Sequence, residues 1–302
     1  MLEERATAVD PGLLRRLVDA ALEEDGARHD VTTRALVPPD QRGSGVIVAK
    51  GEGVVCGLPV VAAVFAALDP DVRVEARMPE GAAVSPGDRL AGVQGPLAPI
   101  LSGERVALNF LQRLSGVATA TRRLVDAVAG LDARPDGRPS SRIVDTRKTT
   151  PGLRPLERHA VRVGGGSNHR FNLSDGVLIK DNHLAASRAA GLTIAQIIER
   201  ARRAAPPSLR VEIEVTTVDE AREALDGGAD ALLLDNMSVE EMRQAVEVAQ
   251  GRAIIEASGG VTLENVRAIA ETGVDVISVG GITHSAPALD ISLEINGRGE
   301  LP

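Results

Sequence analysis

From residue 143 onward, short apolar runs alternate with amphipathic stretches, and this alternation is the feature that most constrains the fold. Residues 211–215 and 231–234 have the length and apolar content of buried strands. Residues 218–225 and 239–248 place apolar side chains at helical spacing. Repeated strand–helix units of roughly 20 residues predict a parallel sheet, and we favour an α/β barrel that is complete or one or two strands short. The other predicted strands are 143–144, 177–179, 253–256 and 274–278, and the other predicted helices are 194–204 and 263–271.

The first 130 residues lack this regular alternation, and residues 43–94 within them predict a small α+β domain. Asp10 and Pro11 are suited to the N-cap and the first position of a helix. Residues 43–94 combine short strand-like runs with turn residues around one apolar helix. Residues 99–128 show a long helical pattern, with a break expected near Gly116.

Charge and composition exclude several classes of protein. The net charge of −8 argues against general nucleic-acid binding. No apolar stretch approaches the roughly 20 residues that a membrane-spanning helix needs. The single cysteine, Cys56, excludes an intramolecular disulfide framework and a cysteine-based zinc site. We therefore expect a soluble, cytoplasmic protein.

Polar residues stand where the predicted strands end, and in a barrel this edge carries the active site. Within residues 211–215, Glu212 and Glu214 alternate with three apolar residues, so both acids should point into the lumen. Such acids ligate a divalent ion, bond ribose hydroxyls, or merely pair with buried Arg or Lys, and the pattern alone leaves these alternatives open. The strand-end residues are Lys180, Glu214, Asp235, Asn236, Ser258, Gly259, Gly260, Val279, Gly280 and Gly281.

Two glycine turns follow the last two predicted strands. One is Ser258-Gly259-Gly260 and the other is Gly280-Gly281, and each precedes a predicted helix start. Backbone N–H groups that glycine exposes at the start of a helix bind phosphate. Ordinary tight turns also use glycine, but a pair on successive strands favours a phosphate site.

The segment 142–180 is basic within an acidic chain, with eight basic residues against three acidic ones. A solvated helix face explains some of its arginines. It does not explain Arg147 and Lys148 directly after a strand, nor His169 and Arg170 after a glycine run. Because Arg pairs bidentately with carboxylates and Lys and His supply point charge, the segment predicts a small ligand with several negative charges.

Seven segments of the chain, in order, resemble one enzyme family. Residues 145–184, DTRKTTPGLRPLERHAVRVGGGSNHRFNLSDGVLIKDNHL, resemble the signature of nicotinate-nucleotide pyrophosphorylase (carboxylating), also called quinolinate phosphoribosyltransferase. The other segments are EDGARHDVTT at 24–33, SGERVALNFLQRLSGVATAT at 102–121, VEIEV at 211–215, LLLDNM at 232–237, EASGGV at 256–261 and ISVGGITHSAPALDISLEI at 277–295.

The resemblance implies a type II phosphoribosyltransferase fold of two domains. An N-terminal α/β sandwich domain of residues 1–130, completed by 285–302, precedes an incomplete (β/α) barrel of residues 131–284. The loop at 132–141, which contains two prolines and a glycine, is the expected boundary.

The resemblance also implies an activity. Quinolinate reacts with phosphoribosyl pyrophosphate to give nicotinate mononucleotide, pyrophosphate and carbon dioxide, the entry to de novo NAD synthesis. The family pattern assigns catalysis to Lys148, Lys180, Glu214 and Asp235, and substrate binding to these four together with Arg105, Thr146, Arg147, His169, Arg170, Ser258, Gly259, Gly260, Val279, Gly280 and Gly281.

Two further expectations come with the resemblance. Mg²⁺ should clamp the pyrophosphate, with ligands that the sequence does not identify. The enzyme should be a homodimer with a shared active site, in which Arg105 reaches across the interface. Two alternatives stay open. The first is a phosphoribosyltransferase of the same architecture that uses another acceptor, either nicotinate or the acceptor of a related protein associated with molybdenum transport. The second is a phosphate-binding regulatory barrel without catalysis.

Overall fold

The computed structural model describes residues 9–131 and 141–296, which divide into two compact units. One unit holds the described parts of 1–122, 149–165 and 281–302, and the other holds those of 123–148 and 166–280. The loop predicted at 132–141 lies outside the described residues except for Ser141. The domain boundaries expected near 130 and 285 stay predictions.

Residues 9–131 combine short strands and helices without the regular alternation of the later residues, as the sequence predicts. At the first helix, the carboxylate of Asp10 accepts a hydrogen bond from the Leu13 N–H at 2.8 Å, so the predicted cap is confirmed. The elements are α1 (Pro11–Glu24), α2 (Val31–Leu36), β1 (Arg42–Ala49), β2 (Gly53–Val54), α3 (Leu58–Leu68), β3 (Arg73–Ala76), β4 (Ala83–Val84), β5 (Arg89–Pro96) and α4 (Leu97–Val128).

All six strands predicted after residue 140 form, and their bounds differ from the predicted ones by two residues at most. Thr193 and Ser238 cap their helices as expected, each accepting a hydrogen bond from a backbone N–H three residues on. The elements are β6 (Arg142–Val144), α5 (Arg154–Val163), β7 (Val177–Ile179), α6 (Asp181–Ala189), α7 (Ile194–Ala204), β8 (Val211–Val215), α8 (Val218–Asp226), β9 (Ala231–Asp235), α9 (Val239–Ala249), β10 (Ile254–Ser258), α10 (Val266–Ala270), β11 (Val276–Ser278), α11 (Gly281–His284) and β12 (Ile291–Asn296).

The four-stranded sheet of the first unit has the order β12-β1-β5-β3. Its last strand comes from the C-terminal end of the described chain and pairs antiparallel with β1, where Leu293 lies opposite Ile47. The C-terminal end of the described chain therefore belongs to the sheet of the first unit.

The expected break in the long helix near Gly116 is wrong, since α4 is continuous from Leu97 to Val128. A β-carbon at Gly116 would overlap the carbonyl oxygen of Pro287. The glycine therefore serves close backbone packing against this helix rather than a bend.

The second unit contains a six-stranded parallel sheet with the order β6-β11-β10-β9-β8-β7. Eight strands close a full α/β barrel, so this sheet is an incomplete barrel that is two strands short. The apolar residues of β8, Val211, Ile213 and Val215, are fully buried. Because side chains alternate along a strand, Glu212 and Glu214 lie on the opposite face, as predicted.

The helix after the first glycine turn differs from the prediction. Helix α10 begins at Val266 with Asn265 at its N-cap, not at Leu263 after Thr262. Asn265 instead accepts the Thr262 N–H at 2.8 Å and donates to the Gly260 carbonyl at 2.9 Å. The Ser258–Gly260 turn therefore does not sit at a helix N-terminus, and phosphate binding there would rest on the turn's own N–H groups.

Among residues 9–131 and 141–296, no helix is both long enough and apolar enough to span a lipid bilayer.

Candidate active site

A cavity of about 530 Å³ lies at the carboxyl ends of the parallel strands. The edge predicted from the polar strand-end residues is therefore the edge that holds a cavity. Ten of the predicted site residues line it: Thr146, Arg147, Lys148, His169, Arg170, Lys180, Asp235, Ser258, Gly259 and Gly260.

A buried carboxylate fixes the turn that carries His169 and Arg170. Asp145, at the end of β6, has no exposed surface. It accepts the His169 N–H at 2.8 Å and the Asn168 side-chain amide at 2.6 Å. Ser167 forms a parallel bridge with Val144, which extends the edge of the sheet toward this turn. Because a buried carboxylate holds the backbone of His169 directly, the imidazole has a fixed position beside the cavity.

Two acids of the barrel lumen contact the imidazole of His169. Its Nε2 lies 3.1 Å from Glu256 Oε2 and 3.6 Å from Glu212 Oε2. The hydrogen bond to Glu256 raises the pKa of His169 above its usual value. Burial, and then the charge of Glu256, raise the pKa of Glu212 to about 7. His169 and Glu212 therefore both keep a proton to higher pH than they would in water.

Lys180 and Glu214 form an ion pair at the ends of β7 and β8. The Lys180 ammonium lies 2.8 Å from Glu214 Oε2. The carboxylate is buried and the lysine side chain is half exposed. Lys180 lines the cavity and the ion pair with Glu214 fixes the position of its ammonium group.

Arg147 and Arg170 both line this cavity. Burial, and then the positive charge of Arg147, lower the pKa of Arg170. The Arg170 guanidinium donates to the Gly176 carbonyl at 3.0 Å, which fixes its direction. Two like charges held close together favour a ligand that carries negative charge.

At the glycine turn, Gly259 and Gly260 adopt positive φ angles of 88° and 59°. Asn236 also has a positive φ, of 53°, and its side chain occupies the space beside Gly259. A β-carbon at Gly259 would overlap the Asn236 side-chain amide. Asn236 also donates to Asp235 at 2.8 Å, which links the turn to the acid at the end of β9.

The remaining predicted site residues lie elsewhere. The Val279 N–H bonds to the Val144 carbonyl at 3.0 Å, and Gly280 follows it along the chain. Neither is among the residues that line the cavity. Gly281 begins α11, which belongs to the other unit, and Arg105 is an exposed residue of α4 in that unit.

Three residues that shape this site have no role assigned from the sequence. Asp145 and Asn236 stand within segments that carry the resemblance, and Asn236 was placed only among the strand-end residues. Glu256 lines the cavity together with Ser258, and its contact with His169 is not evident from the sequence. Strand parity could have placed Glu256 and Glu212 together, since β8 and β10 flank β9.

A partial parallel barrel whose carboxyl edge carries a glycine turn and several cations is typical of enzymes that act on anionic, phosphorylated substrates. The family model described as the quinolinate phosphoribosyl transferase N-terminal domain matches residues 30–115, and that of the C-terminal domain matches residues 117–294. The chain belongs to the quinolinate phosphoribosyl transferase family, and it is a phosphoribosyltransferase.

Relatives and solved structures agree with this assignment over nearly the whole chain. The probable nicotinate-nucleotide pyrophosphorylase (carboxylating) of Bacillus subtilis (strain 168) is 42% identical over 287 residues, which cover 95% of each chain. A mitochondrial quinolinate phosphoribosyltransferase (decarboxylating) of Nicotiana tabacum is 40% identical, covering 94% of this chain and 82% of its own. The crystal structure of NadC from Streptococcus pyogenes matches with a TM-score of 0.88 at 38% identity, covering 96% of this chain and 98% of that one.

Proposed function

We propose that the chain transfers the phosphoribosyl group of phosphoribosyl pyrophosphate to quinolinate and decarboxylates the product to nicotinate mononucleotide. The family match over both halves of the chain carries this proposal. The cavity supports it, since five basic side chains, a glycine turn and Asp235 line the same cavity. The basic side chains suit a dicarboxylate acceptor, and the turn with Asp235 suits a phosphorylated sugar donor.

Quinolinate presents two carboxylates on adjacent ring carbons. Arg147 and Arg170 suit bidentate contacts to them, and His169 and Lys180 add charge at fixed positions. Lys148 lines the cavity beside Arg147 and is suited to a phosphate or carboxylate oxygen as a point charge. Five basic side chains in one cavity favour the dicarboxylate over nicotinate, which has one carboxylate.

The donor substrate brings a 5-phosphate, ribose hydroxyls and a pyrophosphate. The N–H groups of Ser258, Gly259 and Gly260 are suited to the phosphate. Asp235 lines the cavity with this turn and is suited to the ribose hydroxyls. Glu214 forms an ion pair with Lys180, which lines the same cavity. Mg²⁺ keeps substrate phosphate oxygens in its shell, so we expect it to enter with the pyrophosphate as part of the donor substrate.

Transfer breaks the bond between the anomeric carbon and the pyrophosphate oxygen and forms a bond to the pyridine nitrogen. Fixed charges around an oxocarbenium-like transition state supply the rate enhancement, without a protein nucleophile. The ring nitrogen is then positively charged. It accepts the electron density left on the adjacent ring carbon when carbon dioxide departs.

We further propose that the enzyme is a cytoplasmic homodimer in which Arg105 completes the partner's site. Arg105 is exposed on α4, and α2 exposes Val31 and Leu36 at 78% and 76% of their surface. Exposed apolar residues of this size are typical of an interface between subunits. Cys56 is a buried free thiol, which fits a reducing compartment.

The test is a product assay with phosphoribosyl pyrophosphate and Mg²⁺, with quinolinate or nicotinate as the acceptor. We expect nicotinate mononucleotide from quinolinate alone. Product from nicotinate at a comparable rate would contradict the assignment of the acceptor. No product from either acceptor would contradict the assignment as a phosphoribosyltransferase of pyridine acids.

A further inference from the structure

His169 differs in one respect from the other basic residues of the active-site cavity. Arginine and lysine side chains carry their charge throughout the physiological pH range, whereas an ordinary histidine loses its proton at about pH 6.5. The positive charge of the cavity therefore depends on pH through His169, unless the surroundings of the ring keep its proton in place. The basic residues that line the cavity are Arg147, Lys148, His169, Arg170 and Lys180.

Two carboxyl groups lie against one nitrogen of the His169 ring. Nε2 is 3.1 Å from Glu256 Oε2 and 3.6 Å from Glu212 Oε2. One ring nitrogen and one oxygen of each carboxyl all lie within 4.8 Å of one another. Glu256 and Glu212 expose 5% and 14% of their side chains, and His169 exposes 18%. Little water therefore screens the attraction between the ring and the two acids.

The backbone of His169 is held by a third acid. Buried Asp145 accepts the His169 N–H at 2.8 Å and the side-chain amide of the preceding residue, Asn168, at 2.6 Å. Two separate contacts, one at the backbone and one at Nε2, therefore hold His169 beside Glu256 and Glu212.

The contact with these acids decides which form of the ring can serve an anionic ligand. A neutral imidazole has one N–H, and the two carboxyl groups beside Nε2 favour that proton on Nε2. The other nitrogen is then an acceptor, which repels a carboxylate or phosphate oxygen. The imidazolium has an N–H on both nitrogens, so it can bond Glu256 and still donate to an anion. Only the charged form of His169 therefore adds to anion binding while the contact with Glu256 is kept.

We propose that Glu256, with Glu212 in a supporting role, keeps His169 protonated in the ligand-free enzyme, so that the acceptor site keeps its fifth positive charge through neutral pH. Glu256 is a positioning residue in this proposal, since it acts on the acceptor through His169. The inference deepens the proposed function and rests on it for the identity of the acceptor, quinolinate.

The charges around the ring fit this role. The hydrogen bond to Glu256 raises the pKa of His169, and the charges of Glu256 and Glu212 act in the same direction, against burial and the charge of Arg170. Burial, and then the charge of Glu256, raise the pKa of Glu212 to about 7, so Glu212 is partly protonated near neutral pH and Glu256 has the leading role. Further charged groups around the cavity and the His169 turn are three acids and three cations: Asp145, Asp175, Asp235, Arg147, Lys148 and Lys180.

Titration of His169 by nuclear magnetic resonance tests the proposal without any substrate. The chain has five histidines, and His169→Gln assigns the resonance through its disappearance. We expect the midpoint of His169 in the wild type to lie above the ordinary value of about 6.5. Glu256→Gln should lower the midpoint by about one pH unit, a tenfold loss of proton affinity, and Glu212→Gln should lower it by less. The matched control is Glu247→Gln, an exposed carboxylate on α9, which should leave the midpoint unchanged.

Proton uptake on quinolinate binding connects the charge of His169 to the ligand. Calorimetry at about pH 7.5, in two buffers with different enthalpies of ionisation, counts the protons that each site takes up. The wild type should take up few protons, because His169 already carries its own. Glu256→Gln should take up more, approaching about one proton for each quinolinate, because the ligand then has to recruit the proton that Glu256 no longer holds. Adding His169→Gln to this variant should remove the uptake, which a merely structural role of Glu256 would not explain.

A wild-type midpoint at or below about 6.5 would overturn the proposal. So would an unchanged midpoint in a folded Glu256→Gln variant, or equal proton uptake in this variant and the wild type. If Glu256→Gln does not fold, the wild-type midpoint and its fall in Glu212→Gln decide. A raised midpoint in a chain that binds no quinolinate would instead contradict the proposed function and leave the charge of His169 as assigned.

Discussion

Gly259 and Asn236 share one space at the edge of the active-site cavity, because the Asn236 amide lies where a β-carbon of Gly259 would stand. This packing ties the glycine turn to the end of β9, since Asn236 also bonds Asp235. The position of the turn is therefore linked to that of the acid, and the proposed donor site uses both.

The first prediction concerns this packing. Gly259→Ala should raise the KM for phosphoribosyl pyrophosphate about tenfold or more, because the new methyl group displaces Asn236 and the turn. Initial rates at varied donor concentration measure this. Gly228→Ala is the matched control, since Gly228 also has a positive φ, of 80°, but has open space around it. An unchanged KM for the donor in Gly259→Ala would contradict a role for the turn.

The second prediction concerns the two arginines of the cavity. Arg147→Ala or Arg170→Ala should weaken quinolinate binding by about 2–5 kcal/mol, because a desolvated carboxylate loses its charged partner. The KM for the donor should change little. Titration with quinolinate measures the affinity, and Arg203→Ala, an exposed arginine of α7, is the control. Wild-type affinity in both cavity variants would exclude these arginines from the acceptor site.

The third prediction concerns Lys180 and Glu214. Replacing either one alone leaves a buried or half-buried charge without its partner, so the effects of Lys180→Met and Glu214→Gln on stability should not be additive. A double-mutant cycle of urea unfolding should give a coupling of about 1 kcal/mol. A coupling of zero would mean that the ion pair does not hold the lysine in place.

The fourth prediction concerns pH and stability. The raised pKa of Glu212, about 7, means that the folded chain keeps a proton that the unfolded chain releases at about pH 4. The stability linked to this proton is complete below about pH 4 and is lost as the pH rises through 7. The raised pKa of His169 acts in the same direction at higher pH. Glu212→Gln should therefore lose less stability than the wild type between pH 5 and pH 8.

Urea midpoints at these two pH values measure the difference. Glu247→Gln should follow the wild type, since its carboxylate is exposed. If Glu212→Gln showed the same fall in midpoint as the wild type, the carboxyl of Glu212 would not be the group that titrates.

The fifth prediction concerns the shared site. Arg105→Ala and Lys148→Ala should each abolish activity as homodimers. Mixed dimers should regain one working site, because one subunit supplies Arg105 and the other supplies Lys148. Activity after proven subunit exchange is the measurement. No recovery would place Arg105 in the site of its own subunit or outside the site.

Much of the fold could be predicted because its signals are local. The strand 211–215 and the helix 194–204 are observed with the predicted bounds, since apolar periodicity and capping residues act within a few positions. The continuity of α4 through Gly116 could not be predicted, because it depends on backbone packing against Pro287, which is distant in sequence. Helix α10 likewise begins three residues later than predicted, because Asn265 takes the N-cap position in place of Thr262.

In the candidate site, too, residues marked by a local signal could be predicted, whereas those that depend on contacts distant in sequence could not. Arg147, Lys148, His169 and Arg170 stood out by charge against the rest of the chain, and all line the cavity. Glu256 did not stand out, because its role depends on β10 lying two strands from β8 and on the direction of His169. Contacts across a sheet follow from topology and not from neighbouring residues.

The most direct measurement of the central claim uses quinolinate labelled with ¹³C in the carboxylate beside the ring nitrogen. Nuclear magnetic resonance would follow the label while phosphoribosyl pyrophosphate is consumed. The account predicts one labelled carbon dioxide and one pyrophosphate for each nicotinate mononucleotide. Label that stays in the nucleotide, or carbon dioxide released without pyrophosphate, would contradict it.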